Sequence, residues 1–539
     1  MKFDYLIIGA GSAGCVLAER LSACGKYQVC LIEAGPKDTS PNIHLPIALI
    51  NLMRSKTLNW QFNSHDEATQ NNRKIFSPRG KTLGGSSSIN AMLYVRGQKE
   101  DYDHWAELGN SQWSFDQVLP YFKSTQHQER GASKFHGIDG SLNVADSRSK
   151  WPIFDDFILA AKHAGFKANT DFNGADQEGV GYYQVTQKNG LRCSAAKAFL
   201  TPNINRNNLT ILTDILVTKL IIDNKTVTGV CYRENNKNGQ LKQLLARKEV
   251  LLSAGAFNSP QLLMLSGIGP KEELAKNNIQ LAHELAGVGQ NLQDHVDAIV
   301  VNKHQRTDLL ALRPKAAWRI LKDVIKFASS KRGVLTSAIS ETGGFIKSET
   351  HLARPDLQLH FLPGAMDDHG RNLKVLSKYG ISLHVCLLRP KSRGSVSLYS
   401  NNITAEPKIQ LNMLEHSDDQ QIMIKGIKLA RKILAQPPLS TNQGVEMFPG
   451  SGCQKDEDLL EFLKAKANTI YHPIGTCKMG DDKMAVVDQN LKVHGISNLR
   501  VIDASIMPTL ISGNTNAPTI MIAAKAADQI LAEYTTTVQ

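Results

Sequence analysis

Residues 3–8, FDYLII, form a largely apolar run interrupted only by Asp4, GAGSAG follows at 9–14, and apolar residues then recur at helical spacing through VLAERLSACG. A short β-branched and aromatic run before glycines predicts a buried strand, and the spacing after them predicts a helix. The next strand-like run, QVCLIEAG, carries Glu33, 19 residues after Gly14. Strand, glycine turn, helix, strand and acidic end, in that order, predict a βαβ unit that binds a dinucleotide. Gly9 permits the tight turn, Gly11 lets a pyrophosphate approach the backbone, and Gly14 allows close helix-to-strand packing. Ser12 opens the helix and adds local contact, while Glu33 can accept hydrogen bonds from an adenosine ribose and disfavours a 2′-phosphate. FAD and NAD make the same demands, so this unit alone leaves the dinucleotide open.

Further downstream, KEVLLSA at 248–254 reads as a short buried strand that stops at glycine before a helical stretch, GAFNSPQLLMLSGIG. TDILVTKLII reads as another strand, and ISLHVCLLRPKSRGSVSL at 381–398 as two strands around a basic turn. The glycine and serine turn in RGKTLGGSSSINAMLYVRG, residues 79–97, can admit a flat ring. No uncharged apolar stretch reaches the length of a membrane span, and the opening strand leaves no room for a signal segment. A cytoplasmic location is expected, with contact at the cytoplasmic face of a membrane left open.

The 539 residues exceed what one core usually serves, which predicts several domains or one interleaved body. A charged fraction of 21% beside 42% apolar residues excludes fibrous and disordered classes. Lys and Arg number 62 against 50 Asp and Glu, a net +12, yet no stretch concentrates them into a nucleic-acid arm. A solvated basic surface is the expectation, and nucleic acid is not an expected partner. The eight cysteines show no CxxC and no compact zinc-ligand spacing, so neither a disulfide framework nor a metal is expected.

Together with YHPIGTCKMG at 471–480 and LRVIDASIMPTLISGNTNAPTIMIAAKAADQIL at 499–531, the segments at 79–97 and 255–269 resemble the glucose-methanol-choline flavoprotein oxidoreductases. The resemblance runs in order through essentially the whole chain. It implies bound FAD and an α/β fold with an α+β substrate domain, in which a Rossmann-like FAD domain is interleaved with an antiparallel-sheet substrate domain. The expected segments are 1–155, 195–299 and 466–539 for FAD, and 156–194 and 300–465 for substrate. By the same resemblance Gly9, Gly11, Gly14 and Glu33 hold the ADP half, and the backbone of Val217 meets the adenine. Gly84, Asn90, Ala91, Met92 and Leu93 lie along the pyrophosphate, ribityl and flavin side. Asp503 and Ala504 meet the flavin tail, with Asn516 and Pro518 near the ring; Asp503 could also serve as a helix cap. Relatives that bind FAD covalently use a histidine just before the asparagine, whereas this chain has Ile89 before Asn90, so noncovalent FAD is expected.

In the resemblance, His472 takes the hydroxyl proton of an alcohol while the carbon-bound hydrogen leaves as hydride to flavin N5, chemistry that suits a neutral imidazole. Asn514 stands where the family has histidine or asparagine, and its amide can donate to developing alkoxide. His295 is expected as structural support, Glu341 as an acidic residue of the substrate pocket, and DDHG at 367–370 as part of the substrate entrance, with His369 itself at the surface. ETGGF, DDHG and HVCLLRPKSRG look like the bacterial aliphatic-alcohol and polyether dehydrogenases. The expected reaction is oxidation of an apolar primary alcohol to an aldehyde, with electrons passed to a quinone or another acceptor. Choline dehydrogenase, oxygen-reducing alcohol oxidase and FAD-containing hydroxynitrile lyase are the alternatives.

Overall fold

The computed structural model describes residues 1–234, 240–313 and 323–536; residues 235–239, 314–322 and 537–539, which fall within the expected FAD and substrate segments, lie outside the described residues. Strand Lys2–Ile8 is buried throughout from Tyr5 to Ile8, as its apolar run predicts. It pairs in parallel with Val29–Ile32 on one side and Lys242–Leu252 on the other. Leu209–Leu212 continues the parallel sheet beyond Val29–Ile32, and Leu499–Val501 runs parallel to the end of Lys242–Leu252. An antiparallel hairpin, Ile215–Asp223 with Thr226–Glu234, completes the seven strands. Parallel strands require crossovers, and the first is helix Ser12–Ala23, which packs against the C-terminal helix Asn516–Thr536. Because the strands are parallel, Ile8, Ile32, Leu252 and Val501 all end at one edge, where ligands of open α/β sheets bind.

A second seven-stranded sheet has the order Gln443–Phe448, Val296–His304, Gly380–Leu387, Leu357–Leu362, Thr342–Ile346, Gly179–Tyr182, with Asn468–Thr469 also paired to Val296–His304. Its pairings are antiparallel. Alternation along the strands sends Leu357, Leu359 and Phe361, with Leu383 and Val385, into an apolar core under helices Pro152–His163 and Ser417–Leu434. Gln358 and His360, with His384, take the opposite face.

Three expected boundaries need correction. The switch at 155 cuts helix Pro152–His163, whose Phe154 and Phe157 pack on Phe361 of the antiparallel sheet. The switch at 299 cuts strand Val296–His304, and the antiparallel sheet takes in Asn468–Thr469 beyond the expected end at 465. At 155 and 299 the boundary falls inside a single helix or strand, so no turn signal in the sequence marks the place where the chain changes layer.

Candidate active site

A cavity of about 350 Å³ is lined at one end by Gly11, Glu33 and Val217 and at the other by His472 and Asn514. At the first end the three glycines do different work. Gly9 has φ +96°, and a Cβ there would stand 2.5 Å from the Ser253 carbonyl oxygen. A Cβ at Gly14 would lie 1.9 Å from the Gly9 oxygen, so Gly14 is a packing position outside the cavity wall, a correction to its expected cofactor contact. A Cβ at Gly11 would meet nothing within 4 Å. That open backbone stands at the N-terminus of helix Ser12–Ala23, which has no side-chain cap and so offers its first N–H groups to an anion. Glu33 is buried and accepts from the Ala10 and Gly35 N–H groups at 2.9 and 2.8 Å, tying the glycine turn to the second strand. Burial pushes its carboxyl up to about 7.

The middle wall contains Asn90, Ala91, Met92 and Leu93. Asn90 accepts from the Met92 N–H at 3.0 Å, which closes an Asx turn and holds Met92 at φ +62°. Arg192, absent from the sequence-based candidates, is buried and donates to both the carbonyl and the side-chain oxygen of Asn90. Gly84 is not in this wall: its N–H binds the Ala10 oxygen at 2.8 Å, and a Cβ would strike Ser88 Oγ at 2.3 Å. Its neighbour Gly85 lines the cavity, where a Cβ would lie 2.7 Å from Gly11 Cα. Ile89 is in the wall and offers no atom for a covalent link.

Asp503 and Ala504 also line the cavity, Asp503 accepting from Gly255 N–H, Ser259 Oγ and Ser505 N–H, so it joins two strand ends as well as capping a turn. Asn516 accepts from Ser12 Oγ at 2.7 Å. Pro518 is buried outside the wall, because about 100° of rotation per residue carries Asn516 and Thr519 to the cavity and Pro518 away from it. Uncapped N–H groups, an open glycine backbone and an acidic strand end in one cavity fit FAD.

At the other end the backbone is held in a strained turn. Tyr471 has φ +72°, and its N–H is taken by Thr469 Oγ1 at 2.7 Å, while Arg79 donates to its carbonyl at 2.6 Å. Asp294 accepts the next N–H, that of His472, at 2.8 Å. These contacts aim the His472 ring into the cavity. His295 is fully buried, and its Nε2 lies 3.1 Å from the carbonyls of both Leu388 and Ile511, which only accept. Its Nε2 therefore carries the proton and its Nδ1 the lone pair. His472 Nδ1, 2.9 Å away, must donate to that lone pair. The lone pair of His472 then sits on Nε2, where the Asn514 amide nitrogen donates at 3.2 Å. Burial, with His295, His360 and Arg79 nearby, holds His472 well below its ordinary value and so neutral.

The antiparallel sheet supplies the facing wall. His384 and His369 both contact Asp297 Oδ2, at 2.7 and 3.2 Å, Cys386 approaches its other oxygen, and Tyr471 hydroxyl meets His369 Nδ1 at 2.6 Å. His369 thus lines the cavity and is not the surface residue expected. One ligand atom from each of Asp297, His369 and His384 falls within 4.8 Å of the others, a metal-capable arrangement invisible to a search for compact spacing. Burial works against the Asp297 charge, but His384 and His369 hold the carboxyl below the usual carboxylate range. Glu341 is not in the wall. It is fully buried and accepts from Ser337 Oγ at 2.6 Å and Ala338 N–H at 3.1 Å, behind the lining residues Ala338, Ile339 and Ser340. Ile50, Met53, Trp60, Leu362 and Met366 give the wall an apolar portion.

Family models described as GMC oxidoreductase match residues 3–297 and 390–523. The chain is 46% identical over 530 residues to the alcohol dehydrogenase (acceptor) of Pseudomonas putida, with 98% of this chain and 96% of that protein covered. It is 43% identical over 541 aligned positions to the mitochondrial choline dehydrogenase of Homo sapiens, covering 98% and 90% respectively. Pyridoxine 4-oxidase from Mesorbium loti superposes with a TM-score of 0.89 at 29% identity, covering 98% of this chain and 99% of that one.

Proposed function

The chain belongs to the GMC oxidoreductase family of FAD-dependent enzymes, and from that premise we propose that it oxidises a primary alcohol with an apolar tail to its aldehyde. The observation that carries this reading is the meeting of His472 Nε2, as a lone pair, with the Asn514 amide, as a donor, in the cavity that also contains Gly11 and Glu33. An alcohol hydroxyl needs that complement: it donates its proton to His472 and accepts from Asn514. Asn514 then stabilises negative charge on the oxygen as the proton departs, and the buried ring of His472 holds the proton.

Bound FAD supplies the acceptor for the carbon-bound hydrogen. Gly11, Ser12, Glu33 and Val217 would hold its ADP half, and Asn90 to Leu93 with Asp503, Ala504 and Asn516 the remainder. Ile89 makes the attachment noncovalent. The parallel sheet serves as the cofactor domain and the antiparallel sheet as the substrate domain. The Pseudomonas relative carries the name alcohol dehydrogenase (acceptor), which supports delivery of electrons to a separate acceptor, and a quinone or a similar compound is the acceptor we propose. A basic surface, net +12, suits approach to a membrane face where such acceptors reside. Among the described residues no helix is long and apolar enough to cross a membrane.

Anaerobic mixing with straight-chain primary alcohols should bleach the oxidised flavin spectrum, and a quinone should restore it faster than oxygen does. His472→Ala should retain FAD and lose at least about a hundredfold in reduction rate. Bleaching at the wild-type rate in that variant would remove His472 as the base, and cyanohydrin cleavage without bleaching would replace the oxidation altogether.

A further inference from the structure

Asn514 has two nearly isosteric ends, and only its NH2 end can donate to an alkoxide. Its Oδ1 accepts from Gln358 Nε2 at 3.2 Å. Gln358 is fully buried on strand Leu357–Leu362 of the antiparallel sheet, facing away from that sheet's apolar core. A glutamine can also turn either way, so its own orientation needs a cause.

Tyr183 supplies it. The Tyr183 hydroxyl lies 2.7 Å from the Leu359 carbonyl, which only accepts, so the phenolic hydrogen goes there. The Gly344 N–H donates into the phenolic oxygen at 3.1 Å. The lone pair left over faces Gln358 Nε2 at 3.4 Å, and Gln358 must present its NH2 end to it. The second hydrogen of that NH2 goes to Asn514 Oδ1, which leaves the Asn514 NH2 pointing at His472 Nε2. Gln358 Oε1 is buried without a partner among the described residues, so the glutamine keeps this orientation while its own carbonyl goes unsatisfied.

We propose that Gln358, oriented by Tyr183, is a positioning residue that fixes which end of the Asn514 amide faces the reacting oxygen. The proposal rests on the roles of His472 and Asn514 given above. Two chains of hydrogen bonds then meet at one lone pair. One starts at the Leu359 carbonyl and passes through Tyr183, Gln358 and Asn514. The other starts at the Leu388 and Ile511 carbonyls and passes through His295. Both begin at backbone acceptors whose polarity cannot reverse, so the proton-accepting state of His472 is built into the fold before substrate arrives.

Gln358→Met keeps side-chain length and removes the donor. Asn514 is then free to turn its oxygen toward His472 Nε2, which stabilises the protonated ring. The acid limb of the pH profile for kcat/KM should move to higher pH, and alcohol-driven flavin reduction at neutral pH should fall about tenfold. In an Asn514→Ala background the same substitution should have no further effect on reduction, because the group it orients is gone. Tyr183→Phe, which removes the hydroxyl and preserves the ring, should shift the acid limb in the same direction and decides the matter if Gln358→Met does not fold. An unmoved acid limb, or an undiminished loss in the Asn514→Ala background, overturns the proposal. Full activity of His472→Ala would instead overturn the underlying reading of the base, whatever Gln358 does.

Discussion

His472 Nε2 is poised to accept a proton because no neighbour lets the ring keep two. Burial comes first, then the nearby His295, His360 and Arg79, and together they hold its pKa well below the ordinary 6.5. His295 is pushed down to about 4 and His360 to about 3, in both cases chiefly by burial. Groups of this kind bind more protons unfolded than folded as pH falls below 6.5, so their contribution to stability is present above 6.5 and is lost on acidification. Glu33 and Glu341 have the opposite sign. Burial raises each to about 7, so their contribution is full below the ordinary 4.5 and is lost as pH rises through about 7. The two sets oppose one another across roughly pH 4.5 to 6.5, which makes global unfolding a poor reporter of the base. Catalysis reports it directly. The acid limb of kcat/KM for alcohol oxidation should fall below pH 6.5 in the wild-type enzyme, and a limb centred at 7 or above would assign the proton to another group.

The glycine turn between the first strand and helix makes a prediction that separates fold from binding. Gly11 has φ −77° and open space where a Cβ would go, so Gly11→Ala should leave the melting of the FAD-free protein within about 0.5 kcal/mol of wild type. The added methyl stands in the cavity, and FAD retention should fall. Gly14→Ala drives a Cβ into the Gly9 carbonyl and should cost about 3 kcal/mol or more in folding, seen as a lowered Tm with or without FAD. Equal melting losses in the two variants would contradict the division of labour. That turn was legible from spacing alone, because each glycine answers a local steric demand. Gly84 and Pro518 misled for the converse reason: they lie within one or two residues of Gly85 and Asn516, and only backbone rotation separates wall from support. The alternation LQLHFL at 357–362 is visible as a strand with a polar face. Nothing in it says that the face meets Asn514, 156 residues away in sequence. Arg192, Tyr183 and Gln358 went unrecognised for that reason, since their partners are brought together by strand register and not by a motif.

At the scale of the whole molecule, the four dispersed motifs become one cavity because the parallel sheet gathers its strand ends at one edge and the antiparallel sheet closes over that edge. The segments with family motifs could be read as a site; the facing wall, drawn from less standard sequence, could not. In the proposed reaction that wall faces the tail of the alcohol. The wall combines Ile50, Met53, Trp60, Leu362 and Met366 with the imidazoles of His369 and His384, which cover the buried Asp297 carboxylate behind the lining. Those rings stand between the carboxylate and a substrate in the cavity and keep a quaternary ammonium from direct contact with it, while the apolar residues reward each added methylene by about 0.8 kcal/mol. For straight-chain primary alcohols kcat/KM should therefore rise about fourfold per CH2 until the wall is covered. Choline should do no better than its uncharged isostere 3,3-dimethylbutan-1-ol, compared as rates of anaerobic flavin reduction at low substrate. A preference for choline of about tenfold or more would mean that Asp297 exchanges a histidine partner for the cation, and the choline dehydrogenase relative would then be the better guide to the substrate.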